Sequence, residues 1–373
     1  MKSIITLKNK IVKFFEEKGF NFLRGVPQKR MQEIIVSCGM KGNTGKTSDF
    51  AEHGSVFRTT YGHFLSKGKW NESKVSSQQK QETLKVIQRS AKSTGKAAYI
   101  KIDDTVCEKK VPSSKAKNPT EGTAWHYSHL ENAFVFGHQV LTSMVECGKY
   151  DLCYSMERYD KDKKTKIEMT LDIIEGLPIA EQKSYALLDS WYTSTDIING
   201  FKRKKYNVIG AIKTNRVVYP DNRKFSIANY AKTLTQNEFH SVTVKNDEYL
   251  AARYVGRLNG IEKAIVVLTY PKEYFGVNSA LRAFICTDLA LTDEEVFEHY
   301  AHRWSIETFF QLQKKYFGLN KFMVRSKKAI DRFFIILSVA HFFFTTAFSE
   351  ILSFADSVHF LRDNWVKQFK FAL

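Results

Sequence analysis

The sequence predicts an α/β protein in which a helical N-terminal quarter precedes a mixed body. Three observations carry this. Residues 1–95 show apolar residues at helical spacing with Gly-containing breaks, residues 96–213 alternate between strand-like and helix-like runs, and residues 214–287 are β-rich before helices resume. With 373 residues, 43% hydrophobic and 14% aromatic, the chain has material for two or three domains with sizeable cores, and its composition excludes a disordered polymer.

The elements follow in order. Ile5, Ile11, Phe14 and Phe15 open the helical region, and "MQEIIVSCGM" and "SKVSSQQKQETLKVIQRSAK" continue it. "GMKGNTGKTSDF" is not a phosphate-binding loop: Gly39 stands one residue too early, Met40 takes the required place, and neither a strand nor a clear helix frames it. "AAYIKI" (97–102) reads as a strand ending at Asp103-Asp104-Thr105, and "NAFVFGHQVLTSMVEC" and "YDLCYSMERY" as a hairpin joined by Gly148-Lys149. Residues 164–177 form a helix, "KSYALLD" a strand ending in Asp189, 193–205 a helix and 206–213 a strand. Thr292 and Glu295 make a capping box where helices resume. "FFIILSVAHFFFTTAF" (333–348) is 16 residues, interrupted by His341. A membrane span needs about 20 predominantly apolar residues, so this reads as a buried helix.

Charge narrows the partners. Lys+Arg 57 against Asp+Glu 39 gives +18, which points to a polyanion, either nucleic acid or an anionic membrane surface. Residues 1–96 hold 19 Lys+Arg and 7 Asp+Glu, the balance of a basic module on a more neutral body or of a generally basic proteome. Five scattered cysteines without C-x-x-C argue against a disulfide framework or zinc ribbon and fit a reducing cytosol. The N-terminus lacks the unbroken apolar run of a signal peptide.

Asp103 and Asp189 each end a strand-like run. Each could simply cap the segment that follows. If the strands are neighbours, the carboxylates meet, repel, and suit a divalent cation with oxygen ligands such as Mg²⁺ or Mn²⁺. In "YAHRWSIETFFQLQKKYFGL" (300–319), α-helical geometry puts Tyr300, Arg303, Glu307 and Lys314 within about one sixth of the circumference, with Ile306, Phe309, Phe310 and Phe317 roughly opposite. Alone this is an ordinary amphipathic helix with an ion pair. Taken together, three carboxylates can hold two metal ions, Arg303 and Lys314 can hold phosphates, and Tyr300 can donate to a phosphate or stack on a base.

These blocks resemble the DDE transposases of bacterial insertion sequences, the IS-four family and its close relatives. "IDDT" (102–105) looks like the first-Asp block, "LLDSWYTS" (187–194) like the second, and "YAHRWSIETFFQLQK" (300–314) is similar to the pattern Y-x2-R-x3-E-x6-K. "RTTYGHFLSKGKWNESKV" (58–75) and "GHQV" (137–140) also resemble the family, over roughly residues 55–345. The resemblance implies a ribonuclease-H-like mixed-sheet core. It divides the chain into a helical DNA-binding domain (1–95), a first part of the catalytic core (96–213), a β-rich insertion (214–287), a second part of the core (288–345) and a helical tail (346–373). It implies cut-and-paste chemistry through a DNA hairpin with two Mg²⁺ or Mn²⁺ ions, Asp103, Asp189 and Glu307 as the metal-binding triad with Asp104 the alternative in the first block, and Tyr300, Arg303 and Lys314 on the DNA-end phosphates. It further implies double-stranded DNA partners (terminal inverted repeats and target), a homodimer on DNA, no membrane or small-molecule substrate, and a cytoplasmic, nucleoid-associated location. Related enzymes trap a flipped base with a Trp in the insertion. No Trp lies between Trp191 and Trp304 here, which leaves Tyr219, Tyr254 or Tyr270 as substitutes.

His126-x-x-His129 and His299-x-x-His302 lack Cys partners at zinc spacing, and His302, beside Arg303, is instead a phosphate-contact candidate. "EKKVPSSKAKNP" (108–119) reads as a flexible basic loop near DNA. A metal-dependent nuclease or repair enzyme of the same fold, or an inactive DNA-binding relic, are the competing functions.

Overall fold

Polar caps set where most helices begin in the computed structural model, which describes residues 7–40, 42–128, 131–244, 247–348, 356 and 358. The chain divides into two units. The first holds residues up to 95, 104–164 and those from 307, and the second holds 96–103 and 165–306.

The first unit starts with α1 (Leu7–Glu17), α2 (Val26–Cys38), α3 (Thr47–His53), α4 (Arg58–Lys67) and α5 (Glu72–Thr94). Asp49 accepts from the Thr44 and Lys46 amides at 2.7 and 3.2 Å and caps α3. The Gly-rich loop ahead of it therefore spends these amides on its own carboxylate rather than on a phosphate. Asn71 caps α5 and Gly95, at φ 67°, ends it. Strand β1 (Ala98–Glu108) belongs to both units, changing from the second to the first between Asp103 and Asp104. The strand runs on past the Asp103-Asp104-Thr105 end that the sequence predicts. Asp is a poor strand residue, but the second half of β1 has a neighbour in β3, and that pairing carries the strand onward. β2 (Ala124–Ser128), which the residue pattern did not suggest, pairs antiparallel with β3 (Ala133–Cys147), and β3 with β4 (Tyr150–Arg158) across the predicted Gly148 turn. Gly137 is needed where β3 passes β1, because a Cβ there would lie 2.2 Å from the Cys107 carbonyl oxygen.

The second unit holds α6 (Lys166–Glu175), β5 (Ser184–Leu188), α7 (Thr195–Arg203), β6 (Asn207–Ile212), β7 (Val217–Val218), β8 (Phe225–Ser226), α8 (Ile227–Ala231), β9 (His240–Val244), β10 (Asp247–Leu258), β11 (Ile261–Pro271), β12 (Arg282–Cys286), α9 (Asp293–Ala301) and the start of α10 (Ser305–Leu312). Thr165 with Glu168, Ser194, and Thr292 with Glu295 cap α6, α7 and α9. β1 and β5 pair in parallel, as do β5 and β6, and β12 returns antiparallel to β6. Tyr185, Leu187, Ile209, Ile265, Val267 and Val296 form its core. Through the shared strand β1 the order reads β4-β3-β1-β5-β6. This is the strand order of ribonuclease-H-like folds, as the sequence resemblance implies.

In the first unit the closing helix α11 (Lys327–Ala347) supplies the aromatic core. At 21 residues it is longer than the 16-residue run suggested and is long and apolar enough to cross a membrane, but 83% of its most apolar window is buried inside the protein, as expected of a buried helix. Phe14 packs edge-on against Phe342 and Phe343. Arg332 is 2% exposed: it donates to the Phe64, Leu65 and Trp70 carbonyls and, at 3.0 Å, to Glu72. It thus adds a charged donor to carbonyls at and just beyond the end of α4, of which Phe64's also accepts from the Gly68 amide at 3.2 Å. Beyond Phe348 the predicted tail lies outside the described residues, Asp356 and Val358 apart.

Two buried imidazoles make this unit acid-sensitive. Burial pushes His341 down to about 3 and His138 to about 4. His341 Nδ1 accepts from the Cys153 amide at 3.2 Å. A folded value below the unfolded one, about 6.5, means that the unfolded chain binds more protons. Stability is therefore complete above about pH 6.5 and falls as pH drops toward 4, by up to about 1.4 kcal/mol per pH unit for each histidine. We expect the unfolding temperature to fall between pH 7 and pH 5, and His341→Asn to flatten that slope; a parallel slope in the variant would remove His341 as a cause.

Candidate active site

The register of β1 and β5 builds the site's floor. Ile102 stands opposite Leu188, the last partners of the parallel pair, so Asp103 continues β1 and Asp189 opens the turn after β5, each one residue beyond that pair. Both carboxylates belong to the second unit, Asp103 within β1 and Asp189 one residue past the end of β5.

Each is partly neutralised. Arg303 Nη1 lies 3.3 Å from Asp103 Oδ2, with the two side chains 14% and 19% exposed. Asp189 Oδ1 accepts from the Trp191 and Tyr192 amides at 2.8 and 3.3 Å. The local capping role open to Asp189 is therefore realised. Tyr300 completes the group. Burial raises its hydroxyl pKa and the charge of Asp189 adds to the rise, while Arg303, 5.8 Å from the ring, opposes it.

Asp104 stands apart. One residue further along the strand it faces the opposite side, and in the first unit its Oδ1 accepts a short hydrogen bond from Gln139. Glu307 and Lys314 also belong to the first unit, both half-buried. Lys314 lies close enough to Cys107 to oppose the burial that raises its thiol. His302 stacks on Tyr99 at 4.3 Å and 14° between planes, while His299 shares a 2.7 Å hydrogen bond with the Tyr99 hydroxyl. His129 lies outside the described residues.

The helix expected over 300–319 is not uniform. α9 stops at Ala301, a 3₁₀ turn covers His302–Trp304, α10 runs Ser305–Leu312, and a π turn covers Gln313–Phe317 before Gly318 at φ 73°. Tighter and wider turns rotate side chains by more and by less than 100° per residue, so the predicted stripe is redrawn in three pieces. The apolar back survives: Ile306, Phe309, Phe310 and Phe317 are buried.

Two tryptophans escaped the reading of the residues. Trp191, 42% exposed, follows Asp189 by two positions under the Lys166 amine, and Trp304, 59% exposed, follows Arg303. Their signal is an aromatic next to a chemistry-bearing residue. Tyr249, Arg282, Phe284, Tyr300, Arg303 and Trp304 help line a cavity of about 410 Å³ in the second unit. Tyr254 and Tyr270 are buried, and Tyr219 is half-buried with Arg257 over its ring, so none of the three offers an open aromatic face.

Among the described residues no three His, Cys, Asp or Glu side chains are gathered as a metal-ligand set. The donor chemistry of Asp103 and Asp189 nonetheless fits a hard divalent cation, since both groups are carboxylates, and Arg303 is the cation that would have to leave Asp103.

A ribonuclease-H-like strand order, with Asp103 and Asp189 each one residue past the last pair of the β1–β5 register, defines the class of protein. The description "Transposase DDE domain" matches residues 148–343, just over half of the chain, and the chain belongs to that family. The matched segment contains Asp189 and Glu307; Asp103 and Asp104 precede it. No match was found among curated proteins. Among solved structures, the chain is similar to the piggyBac transposase synaptic complex with hairpin DNA seen by cryo-EM, at 11% identity and TM-score 0.47, covering 95% of this chain and 76% of that one.

The Asp103–Arg303 pair leads to a metal-binding prediction. Arg303→Gln removes a cation from a carboxylate and should raise Mn²⁺ affinity several-fold in calorimetric titration of the whole protein. Equal affinities would show that the guanidinium does not compete for the site.

Proposed function

We propose that this protein is an active transposase of the insertion-sequence, IS-four-like kind, which cuts and rejoins DNA at the element's ends. The observation that carries the reading is the Asp103–Arg303 ion pair just past the last pair of the β1–β5 register, in a chain of the DDE transposase family. Double-stranded DNA is the substrate, as terminal inverted repeats and as target, and the +18 charge supplies its non-specific affinity. A homodimer on DNA and a cytoplasmic, nucleoid-associated location go with this reading, which involves neither a membrane nor a small-molecule substrate.

Asp103, Asp189 and Glu307 would hold Mg²⁺ or Mn²⁺. Two such ions, when bound, supply Lewis acidity to the attacking and leaving oxygens at phosphorus. The side chains position the DNA around that chemistry. Arg303, paired with Asp103, is the group to clamp a phosphate bidentately, and Lys314 adds a point charge. Tyr300 keeps its proton across the physiological range, since burial raises its pKa, and so serves as a donor to a phosphate oxygen. Trp191 and Trp304 offer flat faces for unpaired bases at the cut end, and His302 is a further phosphate contact. One such arrangement serves strand cleavage, hairpin formation and strand transfer, because each is an in-line displacement at phosphorus.

With Mg²⁺ and a labelled DNA end carrying the element's terminal repeat, the purified protein should give nicks and hairpins. Glu307→Gln and Asp103→Asn should each lower both by more than about a hundredfold, beyond the range of an outer-sphere residue. Asp104→Asn should stay within about tenfold, since its carboxylate is bound to Gln139. Sequence-independent degradation would make the protein a nuclease, no cleavage by the parent would make it a relic, and an inactive Asp104→Asn beside an active Asp103→Asn would move the metal site to Asp104.

A further inference from the structure

The β2–β3 ribbon exposes aromatic surface that the fold does not use. Trp125 pairs with Phe136 and Tyr127 with Phe134 across the two strands, so all four rings share one face. Trp125 and Phe136 lie 5.6 Å apart at 64°, and Tyr127 and Phe134 lie 5.5 Å apart at 76°. Trp125 is 57% exposed, Tyr127 41% and Phe134 68%. The reverse face behaves as a core face should, with His126 buried and its ring against Tyr159. β2 is the end strand of the sheet order.

The segments adjoining this ribbon carry exposed cations, beside exposed Glu121 and, in the β2–β3 turn, Glu131. The loop entering β2 carries exposed Lys115 and Lys117. Its far end is tied to a second basic segment, with Arg325 donating to the Asn118 carbonyl at 3.2 Å and the Glu121 amide donating to the Arg325 carbonyl at 2.8 Å. Lys328 is exposed on that segment too. Flat aromatic faces flanked by cations match the two chemistries of an unpaired nucleic-acid strand, whose bases stack and whose phosphates are anionic. A second copy of the chain would bring the same cations and meet like charge. A duplex keeps its bases stacked on one another and offers this surface only phosphates.

We propose that the aromatic face of the β2–β3 ribbon, together with Lys115, Lys117, Arg325 and Lys328 on the adjoining segments, is a binding platform for single-stranded DNA. It goes beyond the cleavage reading and does not rest on it, because stacking requires neither the carboxylates nor a metal.

The test uses the whole protein without divalent metal, so that its outcome is separate from cleavage. Binding of a labelled oligothymidylate and of a duplex of equal length is followed by fluorescence anisotropy. The double variant Trp125→Ala/Phe134→Ala, with its fold checked by circular dichroism, should bind the single strand about tenfold or more weakly and the duplex unchanged. Lys115→Ser/Lys117→Ser should weaken single-strand binding and flatten its salt dependence. If the double variant does not fold, Trp fluorescence decides: oligothymidylate should quench the parent more than Trp125→Phe. Single-strand binding unchanged in a folded double variant, equal loss on both DNAs, or equal quenching would overturn the proposal. So would loss of self-association in sedimentation with single-strand binding intact, which would assign the face to a second copy.

Discussion

The parallel register between β1 and β5 is the constraint on which the candidate site depends. A slip of one residue would turn Asp189 to the opposite face while leaving Asp103 in place. That register is held by apolar and aromatic side chains: Tyr185, Ala186, Leu187 and Leu188 on β5 are fully buried, as are Ile100 and Ile102 on β1. Hydrophobic burial therefore decides where the two charged strand-end residues stand. Their charges are offset locally, by a guanidinium on Asp103 and two backbone amides on Asp189.

Alternation along a single strand separates the two adjacent aspartates. Asp103 meets Arg303, while Asp104 is taken by Gln139 on β3. The run of DDT, which by composition looks like the end of a strand, works as the middle of one because neighbours supply its hydrogen bonds. A similar override shapes residues 300–317. The chain keeps a helical path but tightens at His302–Trp304 and widens at Gln313–Phe317, while Phe309 packs edge-on against His341 in the first unit. Packing of the aromatic back sets the local helix type, and the polar side chains follow.

Much of the fold was legible because its signals are local. Thr165 with Glu168 and Thr292 with Glu295 marked helix starts by their own hydrogen bonds, and Gly148 marked the β3–β4 turn. The 3.6-residue and two-residue periods separated α6 and α7 from β5 and β6. β2 was not legible, since five residues of Ala-Trp-His-Tyr-Ser after a Lys- and Pro-containing loop form a strand only by pairing with β3. The tyrosines considered for an open aromatic role were equally opaque to pattern, because Tyr254 and Tyr270 turn into the core while Trp191 and Trp304 turn outward.

By itself the sequence determined the kinds of chemistry available: carboxylates after two strand-like runs, a Tyr-Arg-Glu-Lys series at helical spacing, a basic excess, and a buried rather than spanning aromatic helix. These follow from residue type and short-range periodicity, which the chain carries before it folds. Only the tertiary structure decided which aspartate of the doublet meets Arg303 and which meets Gln139, which aromatics reach the surface, and that the Tyr-Arg-Glu-Lys helix changes pitch twice. Those choices depend on strand register, side-chain alternation and packing between residues some two hundred positions apart, as Asp103 and Arg303 are, and such pairings exist only once the chain has folded.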